Sequence, residues 1–440
     1  MKDSSQLDEF LSVYIRIFII KMIFYKNLLR DILYLLLYKF CGICVYEISF
    51  ESFYKELSDH GKNVLNVPFR RKLFKILFED LRNSKELSYS GWYSIKTEFQ
   101  RAIENKGNIE KAVEDDPTLL DVKIKDPVFL VTLPRTGSTF LHTLLAEDKR
   151  WKAPEFWEMT KTIPFPRDPL SEDNKEYIKQ LDNSLDINKK FSNSKGLISS
   201  HNMKASDPEG FLPFLKAEGI FGILSIILKL PKYTKQLQSF SHDDYIDIYK
   251  SLERNFKVLG RYQNIENRRY LLNQHFGPST NIPALLEVFP DAKIITIHRD
   301  IKKIVPSMAS LYSYIAIKYQ NYRLSAIQLI CDNLVDRYLD TLDKIVQVRQ
   351  EYSTKKQFAN SFIDIHFKDL LDNPEEVVKY IYKKSNMKYT KECEEKFTVS
   401  IYEKGKQKQN PHKYEKMVLN VEKIRQKSFR YNKKFNLIAN

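Results

Sequence analysis

Hydrophobic and polar positions change rhythm several times along the chain. Residues 11–46 (LSVYIRIFII KMIFYKNLLR DILYLLLYKF CGICVY) are largely apolar but are interrupted by Arg16, Lys21, Lys26, Arg30, Asp31 and Lys39. A spanning helix needs about 20 mostly apolar residues, and the segment holds no clean window of that length. Nor does it show the short apolar stretch followed by small residues that marks a cleavable leader. The pattern predicts an amphipathic helical segment packed on the main body. A basic interfacial helix resting on a membrane and a signal anchor are the alternatives.

From Ser49 to Pro117 the spacing is helical with one polar face, as in FYKELSDHGKNVL and FRRKLFKILFEDL. Asp115, Asp116 and Pro117 mark a break. Pro127-Val-Phe-Leu-Val-Thr-Leu133 is then a continuous apolar run, as expected of a strand buried on both faces. Phe140, Leu141, Leu144 and Leu145 return to helical spacing. Ala292–His298 and Ser361–Phe367 read as two further buried strands, the first followed by a helix. Residues 219–230 (GIFGILSIILKL) are apolar all round but too short to span a bilayer. They are either a buried core helix or part of a greasy acceptor site. The Lys-rich tail from Tyr402 onward carries no strong strand signal, and there is no internal repeat. Strands alternating with helices predict an α/β fold with a parallel sheet.

Composition narrows the class. At 440 residues, 43% hydrophobic and 29% charged, the chain has material for a real core, which excludes wholesale disorder. Four Cys exclude a disulfide-built scaffold. Cys41 and Cys44 form a lone C-x-x-C; no second pair or nearby His completes a four-ligand zinc site, so both read as core residues. Lys+Arg of 71 against Asp+Glu of 56 gives a net charge of +15, which attracts anions of any kind. The excess is spread along the chain with no basic run interleaved with aromatics, which opposes a nucleic-acid partner.

The stretch richest in chemistry is Leu133-Pro-Arg-Thr-Gly-Ser-Thr139, between the first strand and its helix. A turn there aims backbone N–H groups and a helix N-terminus at one spot, which is an anion site. Gly137 allows close approach, Ser138 and Thr139 add hydroxyls, and Arg135 adds a fork-shaped cation suited to phosphate or sulfate. The turn lacks the first Gly and the Lys of a Walker A loop, which disfavours a kinase or NTPase. The second strand runs into Arg299 at its C-terminal edge, where open α/β sheets bind ligands. Ser307 lies eight residues on, about two helical turns away and on nearly the same side.

Taken in order, these pieces resemble the sulfotransferase family that uses 3′-phosphoadenosine-5′-phosphosulfate (PAPS), in its bacterial-type branch with the loop L-P-R-T-G-[ST]-T. Further matches are Ala153-Pro-Glu-Phe-Trp-Glu158, His201-Asn-Met-Lys-Ala-Ser-Asp-Pro-Glu209, Val288-Phe-Pro-Asp-Ala292, His298-Arg-Asp300, and His412-Lys-Tyr414 with Ile424-Arg425 and Phe429-x-Tyr431. The resemblance covers Phe50 to Leu437. It implies a P-loop-like three-layer fold over residues 118–440, preceded by a helical part at 49–117 and the apolar, basic segment at 1–48. It implies that Arg135 and the N–H groups of Thr136, Gly137, Ser138 and Thr139 grip the 5′-phosphosulfate. Arg299 and Ser307 would hold the 3′-phosphate, and Lys408 and His412 would close over the nucleotide.

Sulfuryl transfer needs in-line positioning, charge stabilisation and a base for the acceptor hydroxyl. Glu158 and His201 are the two candidates for the base, with Glu209 orienting either one. The plainer readings are a capping or salt-bridge role for Glu158 and a positioning role for His201. No metal-ligand cluster appears in the sequence, so no metal is expected. The sequence departs from the family at three points. Asn273 stands where the family has a Lys, before a His275 displaced by an extra residue. Pro306 sits beside Ser307 inside the predicted helix, where a kink would move that serine. Gly210 replaces a frequent second Glu. The expected acceptor is a small, apolar hydroxyl compound such as a lipid or isoprenoid alcohol. The expected setting is the cytoplasm, with peripheral membrane contact through the N-terminal segment. A PAPS or PAP binder with little or no transferase activity is the alternative function.

Overall fold

Val128–Thr132 forms strand β1, and all five residues are buried. Alternate side chains leave opposite faces of a strand, so a fully buried strand requires cover on both sides. Phe129 and Val131 enter one apolar core, while Val128 and Leu130 enter another. The remaining strands are β2 (Trp151–Lys152), β3 (Arg269–His275), β4 (Lys293–His298) and β5 (Phe362–His366). They form one parallel sheet in the order β2-β3-β1-β4-β5, with β1 at its centre. The computed structural model describes residues 47–163, 171–193, 203–275, 280–320, 324–405 and 419–437. The apolar segment 11–46 with Cys41 and Cys44, and the predicted site residues His201, Lys408 and His412, lie outside them.

The helices that concern the site are α1 (Pro68–Asn83), α2 (Tyr89–Asp115), α3 (Ser138–Leu145), α4 (Phe156–Thr160), α5 (His242–Tyr262), α6 (Ile301–Tyr319), α7 (Pro374–Lys384) and α8 (Val421–Lys434). Phe74 and Phe78 of α1, Phe99 and Ile103 of α2, and Phe256 of α5 share the first core with Phe129, Val131 and Leu272. Leu141, Leu144 and Leu145 of α3 and Val378 and Ile381 of α7 share the second with Leu130, Ile295 and Ile363. Each such side chain removed from water contributes about 1.5–3 kcal/mol. The result is the three-layer α/β arrangement, a sheet between two helical layers.

The three strands read from apolar runs became β1, β4 and β5. Residues 219–230 resolve in favour of the core. They contain only a short helix, Gly222–Ile227, and Phe221, Leu224, Ile227 and Leu228 are buried against the first helical layer. Their apolar surface is committed to packing.

Candidate functional site

The site lies where two neighbouring strands part. On one side of β1 the ladder with β3 runs all the way from Val128 to Thr132, opposite His275. On the other side the ladder with β4 stops at Leu130, opposite Ile295. Beyond that point hydroxyls take over: Thr296 Oγ1 donates to the Val131 carbonyl, and Thr132 Oγ1 to the Ile297 carbonyl, both at 3.1 Å. The chain leaves β1 toward β2 and β3, and leaves β4 toward β5 on the opposite side. Such a switch point opens a crevice at the carboxyl ends of the strands, the usual ligand position in this class of sheet.

The turn after β1 lines that crevice. Gly137 adopts φ +86° and caps α3, a left-handed conformation that costs glycine little. A Cβ there would also lie 3.1 Å from Leu370 Cδ2 and 3.3 Å from Phe367 Cε2. Arg135 has φ +67°, a region costing a non-glycine residue on the order of 1 kcal/mol or more. Thr136 is fully buried, and its hydroxyl holds the turn together: it donates to the Leu133 carbonyl at 2.7 Å and lies 2.8 Å from Thr132 Oγ1. The first N–H groups of α3 have no acceptor within their own helix. They start at Ser138, which is buried, and Thr139, which is exposed.

The second cation joins the first. Asp300 caps α6 by accepting from the Lys302 N–H at 3.0 Å, a contact typically worth about 1 kcal/mol. That cap fixes where β4 ends and α6 begins, and so where Arg299 emerges. Arg299 Nη1 donates to the Arg135 carbonyl at 2.5 Å, and its guanidinium lies 4.2 Å from the Phe367 ring centre. Arg135 Nε in turn donates to Ser307 Oγ at 2.9 Å. The structure therefore brings Arg135, Arg299 and Ser307 into one cluster. Pro306 does not prevent this: α6 continues through it, and Ser307 keeps its contact.

Glu158 occupies different surroundings. It is 2% exposed, and Lys152 Nζ approaches its two oxygens at 2.5 and 2.7 Å. Its Oε2 also accepts from the Glu155 N–H at 2.8 Å, completing the capping box of α4. The plainer expectation, a cap and salt-bridge residue, is what these contacts describe. Beside it, burial and the charge of Glu158 push the Glu155 carboxyl above its ordinary range, while Trp157 Nε1 donates to it at 2.7 Å. Lys152 was not singled out from the sequence. Its only signal is its place ahead of Ala153-Pro-Glu-Phe-Trp-Glu158.

Two of the departures now have surroundings. Asn273 lies on β3 opposite Leu130, is 3% exposed, and its Oδ1 has no hydrogen-bond partner among the described residues. Gly210 pairs with Asn273 as an isolated parallel bridge, and a Cβ on it would lie 3.0 Å from the Asn273 carbonyl oxygen. The missing side chain lets the backbone at Gly210 and Phe211 lie close against β3, with the Phe211 N–H donating to the Asn273 carbonyl at 3.3 Å. Among the described residues no group of three or more His, Cys, Asp or Glu is placed to hold a metal ion, and no helix is long and apolar enough to cross a membrane.

Comparison with known proteins adds findings of three kinds. The family model described as the sulfotransferase family matches residues 127–391. An omega-hydroxy-beta-dihydromenaquinone-9 sulfotransferase of Mycobacterium tuberculosis is 23% identical over 316 residues, covering 69% of this chain and 74% of that protein. Its Mycobacterium bovis counterpart gives the same figures. A crystal structure of a Mycobacterium avium sulfotransferase matches with a TM-score of 0.71 at 18% identity, covering 90% of this chain and 98% of that one. A second, from Mycobacterium tuberculosis, gives 0.69 at 19% identity, with 87% and 98% covered. At such identities the structural likeness speaks for the fold.

Proposed function

The chain belongs to the sulfotransferase family, and from that premise we propose that it moves a sulfuryl group from PAPS to a hydroxyl of a small apolar acceptor. The carrying observation is the cluster at the β1/β4 crevice, where Arg299 Nη1 meets the Arg135 carbonyl at 2.5 Å and Arg135 Nε meets Ser307 Oγ at 2.9 Å. A dianion at each end of one adenosine calls for two cations a few ångströms apart on neighbouring strand ends. The buried, orphaned Asn273 Oδ1 fits a site that takes a polar ligand. When bound, PAPS supplies the sulfuryl group and a bisphosphate leaving group. Arg135 and the N–H groups of Thr136 to Thr139 hold the 5′ end and stabilise the charge that grows there; such donors act strongly where water is excluded. Arg299 and Ser307 hold the 3′-phosphate, and Lys408 and His412 close over the nucleotide.

Glu158 and His201 remain the candidates for the base. Lys152 and the Glu155 N–H leave little of the Glu158 carboxylate open to a further partner. Separate assays of Glu158→Gln and His201→Asn name the base, and full rates in both variants reject both. An apolar acceptor is supported by the mycobacterial relatives, whose names give a hydroxylated menaquinone. Such an acceptor partitions into membranes, which gives residues 1–48 a role in peripheral membrane contact. Asn273 favours a second reading, a PAPS or PAP binder with little transferase activity.

A thermal-shift comparison of PAPS, PAP and ATP tests the class, since a ligand selective for the native state raises its stability. PAPS and PAP are expected to raise it and ATP far less; an equal response to all three defeats the proposal. Arg135→Ala is expected to lower transfer by about 10²–10³-fold. A PAP shift without detectable transfer in the wild type selects the second reading.

A further inference from the structure

Helix α8 was not anticipated, and it ends on the residues that flank Arg299. Ile424, Ser428, Tyr431 and Asn432 face inward from it, while its outer face carries Lys and Arg together with the exposed Val421 and Phe429. Lys427 pairs with Asp340 at 2.5 Å and Arg430 with Asp343 at 3.3 Å, exposed contacts worth little on their own. The buried contacts converge on the end of β4. Tyr431 Oη lies 2.8 Å from His298 Nδ1, and the His298 ring stacks on Phe435 at 3.7 Å and 17°. His298 Nε2 lies 2.9 Å from Asp364 Oδ1 on β5, and Arg349 pairs with the other oxygen of that carboxylate. Asn432 Nδ2 reaches Asp300 Oδ1 at 3.4 Å. His298 and Tyr431 are each 1% exposed. Burial holds the imidazole below its ordinary pKa, so the neutral ring donates from Nε2 to Asp364 and accepts the tyrosine O–H at Nδ1.

The residues on both sides of Arg299 are thus held by one helix, whereas Arg299 itself points to the turn after β1. A tyrosine–histidine–aspartate relay is more than this packing needs. Burying three polar groups brings no stability beyond what apolar side chains of the same shape would give, but it fixes the direction in which the strand ends. We propose that the Asp364–His298–Tyr431 relay, braced by Phe435, is a positioning device that sets Arg299 for the 3′-phosphate. Through it α8 governs discrimination between nucleotides with and without that phosphate. The proposal rests on the reading of Arg299 as the 3′-phosphate ligand.

The test uses the full chain and calorimetric titration with PAP and with AMP, which lacks the 3′-phosphate. Wild type is measured first: preference for PAP over AMP is required, and its absence overturns the assignment of Arg299 and this proposal with it. With that preference present, Tyr431→Phe is expected to weaken PAP about tenfold and AMP by less than about twofold. In turnover it raises KM for PAPS with kcat unchanged. Equal weakening of both nucleotides, or of neither, overturns the positioning role while leaving the Arg299 assignment intact. His298→Gln, which keeps a donor for Asp364, provides the same readout if Tyr431→Phe does not fold.

Discussion

Replacing Lys152 with Met separates the two roles open to Glu158. The ammonium and carboxylate are 2.5 Å apart, and their side chains are 6% and 3% exposed. At an effective dielectric of about 20, that separation gives a gross attraction of about 7 kcal/mol. Removing each ion from water costs several kcal/mol, so the intact pair contributes little net stability. Breaking it is different. Lys152→Met leaves a nearly dry carboxylate with only the Glu155 N–H, and the expected loss is about 3–5 kcal/mol. Glu158→Gln is expected to lose somewhat less, because the amide oxygen can still accept a hydrogen bond from the Lys152 ammonium, which Lys152→Met removes. The double variant is expected to lose less than Lys152→Met alone, so the favourable coupling is at least as large as the Glu158→Gln loss. Urea denaturation of the four proteins measures this. Single variants within about 1 kcal/mol of wild type would refute the reasoning, because water or another partner must then reach the pair. If the folded double variant still transfers at the wild-type rate, Glu158 is structural and the base lies elsewhere.

Gly137→Ala is expected to destabilise by about 2 kcal/mol, from the left-handed backbone and the 3.1 Å approach to Leu370, and to weaken PAP. Gly222→Ala, with nothing within 4 Å of the added Cβ, is the control and should be neutral or slightly stabilising; equal losses at both sites refute the distinction. Acid is expected to weaken the fold in two stages. Burial lowers the pKa of His142 and His298 from 6.5, so as pH falls below that value the unfolded chain takes up protons that the folded one refuses, and stability drops. Hydrogen bonds hold Asp148 at about 2, and His298 and Arg349 hold Asp364 below its ordinary 3.8, in both cases against burial. Their contribution is present above 3.8 and is lost as pH falls toward 2. Denaturation on either side of 6.5 and of 3.8 checks the sign; stability that rises on acidification contradicts it.

What the sequence made legible follows from what each element must bury. β1, β4 and β5 are covered on both faces or nearly so, and therefore read as apolar runs. β3 escaped notice because its upper half, Asn273-Gln274-His275, is polar, and β2 because it has only two residues. α8 is masked by its charges, although Ile424, Ser428, Tyr431 and Phe435 recur at spacings of four, three and four. In the site, Arg135, Arg299 and Ser307 were readable because each sits beside a strand end or within a helical turn count of one. Lys152 was not, because its partnership with Glu158 arises from the bend between β2 and α4 and leaves no periodic trace.

The first core ties Phe53, Phe74 and Phe99 on one flank, and Tyr431 and Phe435 on the other, to Phe129 and Ile294 of the sheet. The cooperative unit is therefore wider than the stretch by which its relatives are recognised, residues 127–391. Cutting the gene at those borders would take α1, α2 and their aromatic side chains out of the first core and remove the brace behind Arg299, leaving a sticky fragment rather than a smaller enzyme.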